Sequence, residues 1–68
     1  MKGKDYIMKR TYTVFYRINN IQEGVPYKSS HRAGSKANEE DAIAAIRFHK
    51  GSYVADRARI IDICLEHD

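Results

Sequence analysis

His31, His49, His67 and Cys64 carry the side chains best suited to hold a metal, so a metal site is the first chemistry to weigh. Their spacing matches no ligand signature, and there is no Cys-x-x-Cys pair. The expectation is therefore no metal and no cofactor. Glu39, Glu40 and Asp41 are the densest acids. Being consecutive, they fan around a helix start instead of facing one another, which suits the helix dipole better than general acid–base work. Cys64 stands in an apolar run, where a thiol is held neutral and inert. Gly34-Ser35-Lys36 lacks the glycine spacing of a phosphate-cradling loop. No Ser, His and Asp set has a recognisable arrangement. The chain is expected not to be an enzyme.

Binding chemistry has more to work with. Residues 26–36, PYKSSHRAGSK, hold Lys28, His31, Arg32 and Lys36 with no acid, together with Tyr27 and several small residues. Cations mixed with serines and backbone N–H groups are how proteins hold phosphates. The same cations also blunt an edge strand against unwanted pairing, which is a purely structural use. Phe15, Tyr16 and Arg17 offer an aromatic and a cation for stacking, although strand alternation sends Phe15 and Arg17 to one side and Tyr16 to the other. Phe48 lies off the expected core face of its helix, where an aromatic anchors a protein partner or widens the buried stripe. The candidate interaction residues are thus Phe15, Arg17, Tyr27, Lys28, His31, Arg32, Lys36 and Phe48.

The elements that must position them follow from periodicity. Residues 1–9 are polar, basic and aperiodic, and are expected to form a tail to a single domain over 10–68. Residues 11–18, TYTVFYRI, predict a strand with Tyr12, Val14, Tyr16 and Ile18 on the core face and Phe15 left on a polar one. Residues 19–24, NNIQEG, predict a hairpin loop longer than the tightest type, and 25–32 the return strand. Pro26 argues that this strand is an edge. After a loop at 33–36, a helix is predicted over 38–50, capped by Asn38 and ended by Gly51, with Ala42, Ile43 and Ile46 on its buried face. Residues 58–65, ARIIDICL, predict a last strand with Ile61, Ile63 and Leu65 on one face and Ile60, Asp62 and Cys64 on the other. A helix competes there, because Val54, Ala58, Ile61 and Leu65 fall at helical spacing. Strand, strand, helix, strand predicts an α+β fold. Its three-stranded antiparallel sheet has order 3-1-2, with one helix on one face and the other face open.

Size and charge bound the rest. A chain of 68 residues makes one domain with a thin core. One cysteine excludes an internal disulfide and points to a reducing compartment. No run approaches the roughly 20 apolar residues of a membrane span, and the N-terminus has no signal-like apolar stretch, so a cytoplasmic location is expected. The net charge of +3 is unevenly placed. Residues 1–38 carry eight Lys/Arg against two Asp/Glu, a net of +6, and residues 39–68 four against seven, a net of −3. A basic half attracts phosphates or an acidic protein surface, or pairs with the acidic half of its own or a neighbouring copy.

The layout YTVFYRI…NEEDAIAAIRFHKG…RARIIDICLE, spanning about residues 10–66, resembles small phage-encoded single-domain proteins built of a sheet and one helix. That group includes anti-CRISPR inhibitors, which bind a host effector and block its access to nucleic acid. The resemblance is one of pattern, with no signature residues to carry over. It implies a stoichiometric binding protein. The expectation is a protein-interaction module, with a nucleic-acid-binding module using residues 26–36 as the alternative. A homodimer through the open sheet face is compatible with either.

Overall fold

A computed structural model describes residues 8–67, the side chain of His67 excepted; most of the expected N-terminal tail lies outside the described residues. The elements run β1 (Arg10–Ile18), β2 (Ile21–Ser29), α1 (Lys36–Lys50), α2 (Ser52–Arg57) and β3 (Arg59–His67). The sheet is antiparallel throughout, with order β2-β1-β3, as connection rules predict. Two helices follow β2, where one was expected. The second is only six residues long, too short for periodicity to announce it, and it buries Ala55.

β1 is central because its even positions are the most apolar in the chain. Tyr12, Val14 and Tyr16 are buried under the helices, as the alternation predicts. β2 starts earlier than expected. Asn19 and Asn20 alone make the turn, with φ of 52° and 65°, which is the two-residue hairpin whose central residues both take positive φ. Asparagine tolerates that region better than other non-glycine residues. Ile21 through Gly24 therefore belong to the strand, and the ladder runs unbroken from Ile18↔Ile21 to Arg10↔Ser29. β2 is an edge, where Pro26 is tolerated.

The helix cap also differs from expectation. Ser35, not Asn38, is the N-cap, and its hydroxyl accepts the Asn38 N–H at 3.1 Å. Asn38 is thereby carried into the first turn and buried with Ala42 and Ile46. This places the buried stripe on 38, 42 and 46, and leaves Ile43 at its exposed margin. Gly51, at φ 98°, ends α1 with its N–H on the Arg47 carbonyl.

β3 is a strand, but its faces are not the simple alternation expected. Tyr16 pairs with Ile60 and Phe15 with Asp62, so Ile61 is an extra residue in the ladder. The bulge turns Ile60 towards the core beside Ile63 and leaves Ile61 45% exposed. A second irregularity at Glu66 sets Leu65 opposite Tyr12 and His67 opposite Thr11. No helix among the described residues is long and apolar enough to cross a membrane.

Candidate interaction site

Where β2 leaves the sheet, a polar network ties it to α1. Tyr27 donates its hydroxyl to Asn38 Oδ1, and Asn38 Nδ2 donates to the His31 carbonyl. Tyr12 donates to the same carbonyl at 3.2 Å. Ser29 Oγ accepts the His31 N–H at 3.0 Å and donates to Asp41 at 2.7 Å. The Tyr12 and Tyr27 rings stack with centroids 5.5 Å apart. No buried side-chain nitrogen or oxygen among the described residues lacks a partner, as buried polar groups require. Burial, with the nearby Tyr12 and Asp41, pushes the Tyr27 hydroxyl up to about 12. Ser29, His31 and Asp41 do meet here, but His31 contributes only its main chain and Ser29 is sealed from solvent. The arrangement is a joint between two elements.

Above this joint lies an open groove of about 530 Å³ between the free edge of β2 and one flank of α1. Pro26, Tyr27 and Lys28 form one wall; Ala44, Ala45 and Phe48 form the other. The small side chains of Ala44 and Ala45 keep that second wall low. Phe48 is 85% exposed and stands at right angles to the His49 ring, with 5.3 Å between centroids. Lys9, Lys28, His31 and His49 surround the groove against one acid, Asp41, whose carboxylate already accepts from Ser29.

Four of the eight residues singled out in the sequence therefore meet here: Tyr27, Lys28, His31 and Phe48. Tyr27 is buried wall, while the other three are exposed. Arg32 and Lys36 are exposed but lie outside the groove. Phe15 and Arg17 are on the opposite face of the sheet. Phe15 has a structural partner there: its ring covers Gly24, directly across the ladder, where an added Cβ would come within 3.0 Å of the ring. Lys9 and His49 were not among the candidate interaction residues; the pairing of β1 with β2 brings in the first and the packing of α1 on β2 the second. The spacing of Asp41, Ala44, Ala45 and Phe48 along one flank of a helix was the available signal.

Cys64 is half-buried on the open face, its Sγ 3.5 Å from Asp62 Oδ2. Desolvation first, then the carboxylates of Asp62 and Glu66, push its thiol above the usual range. Among the described residues, no three His, Cys, Asp or Glu side chains converge as metal ligands would. No protein-family model, curated protein or solved structure matches the chain.

Proposed function

We propose that the chain is a small non-enzymatic protein-interaction module that acts by occupying a partner's surface, with the groove between β2 and α1 as its contact. The single observation that carries this reading is Phe48, a large aromatic held out of the core on a rigid helix beside an unpaired strand edge. Exposed aromatics of this kind are typical anchors of protein interfaces. Cations around the groove favour a partner segment bearing carboxylates, and the β2 edge offers main-chain groups to an extended one. The mode suits the phage-type inhibitors that the sequence pattern resembles.

Affinity capture with wild type and with the double variant Phe48→Ser, Lys28→Glu tests this. Both side chains are exposed, so the fold is expected to survive, as circular dichroism would verify. The captured protein should be lost with the variant; equal capture by both would overturn the proposal.

The nucleic-acid alternative has less support along residues 26–36, because Arg32 and Lys36 do not join Lys28 and His31 in the groove. It predicts binding that weakens steeply between about 50 and 200 mM salt.

A further inference from the structure

Arg17 and Arg59 sit directly opposite one another in the β1–β3 ladder, near its hairpin end. Like charges in that position repel. Among the described residues neither guanidinium is held by an ion pair or a hydrogen bond. Arg57 is the third cation at the same place. Its guanidinium lies 3.8 Å from the centre of the Tyr53 ring, and one N–H reaches the Tyr53 carbonyl at 3.4 Å. Those contacts hold it in place and leave its other donors free.

With Ile18, Asn19 and Asn20, the three arginines line an open hollow of about 370 Å³ that contains no acid. The acids close in sequence are engaged elsewhere. Asp56 pairs with Arg47 at 3.0 Å, Glu23 accepts from Tyr16 and pairs with Lys50, and Asp62 accepts the Ile63 N–H. Asn19 and Asn20 place two unengaged side-chain amides on the rim.

We propose that this hollow binds a phosphate group, held by the guanidinium groups of Arg17, Arg57 and Arg59. A multiply charged tetrahedral oxyanion relieves the Arg17–Arg59 repulsion and matches the forked donors of arginine. The site shares no lining residue with the Phe48 groove and stands whether or not that groove receives a partner. The phosphate belongs either to a small free ligand or to a nucleic-acid backbone, which present the same oxygens.

The test uses the full chain at neutral pH and constant ionic strength, with inorganic pyrophosphate as probe and sodium chloride as the matched control. Pyrophosphate should raise Tm saturably, since a ligand of the native state stabilises it. It should also shift the backbone amide resonances of residues 17–20 and 57–59. Arg17→Gln and Arg59→Gln should each weaken binding by about tenfold or more, the loss expected of a charge-assisted contact. Without anion, Arg59→Gln should have a Tm equal to or above wild type, because the repulsion is gone; this separates a binding defect from a folding defect. A short single-stranded oligonucleotide that competes with pyrophosphate would assign a nucleic-acid backbone, and one that does not would assign a free phosphate ligand. A response to pyrophosphate no larger than to chloride, or one unchanged in both variants, would overturn the proposal.

Discussion

The two flanks of β1 are built on different principles. On the β2 side the ladder is unbroken, the turn is two asparagines long, and buried hydrogen bonds lock the strand to α1. On the β3 side the ladder is interrupted twice, Ile61 and Leu65 are left exposed, and two arginines face each other unpaired. A hairpin is closed locally, so its turn chemistry sets its register. β3 returns only after two helices, and its register is set by which side chains reach the core. The first flank is a finished structure; the second keeps charge and apolar surface in reserve.

Base is expected to break the molecule through the finished flank, and this is the largest effect. Burial, reinforced by the bond to Glu23, pushes Tyr16 up to about 12, and burial does the same for Tyr27. In the unfolded chain both ionise near 10. Their contribution is full below about pH 10 and is lost as pH rises towards 12, because only the unfolded state releases the protons. Tm by circular dichroism should fall over that window, in step with the late tyrosinate absorbance. A flat Tm would deny that the buried hydroxyls matter.

Next in size is Asn38→Ala, which leaves the Tyr27 hydroxyl without its acceptor and removes one donor from the His31 carbonyl. The expected loss is about 2–3 kcal/mol by urea denaturation, since buried groups stripped of partners are costly. A loss below about 1 kcal/mol, the ordinary size of one exchanged hydrogen bond, would mean that water replaces Asn38 and that the joint is looser than drawn.

The smallest effect sharpens the contrast on the other flank. Ile60→Ala should cost about 1–2 kcal/mol, a partial version of a core truncation. Ile61→Ala, one residue on, should stay within about 0.5 kcal/mol, as exposed substitutions do. The reverse order would remove the bulge and restore plain alternation.

Much of the frame was legible in the residues. Alternation in residues 11–18 gave the core face of β1, Gly51 marked the end of α1, and Pro26 marked an edge strand. These features depend on neighbours in the chain, so local sequence carries them. Less of the site was legible. Tyr27, Lys28, His31 and Phe48 stood out one by one, but their convergence depends on how α1 lies on β2. Arg57 and Arg59 did not stand out, because nothing local says that Arg59 will face Arg17.

The same division explains each correction. Ser35 and Asn38 are both good capping residues, and the choice was made by Tyr27 and the His31 carbonyl, which draw Asn38 into the core. Phe15, on a polar face by alternation, is accommodated by Gly24 beneath its ring. The inward turn of Ile60 follows from a bulge that exists only once β3 is laid against β1. Local conformational preference reaches three or four residues along the chain. Partners eleven residues apart, such as Tyr27 and Asn38, are chosen by the burial of polar atoms and the filling of space, and these are settled only when the elements pack.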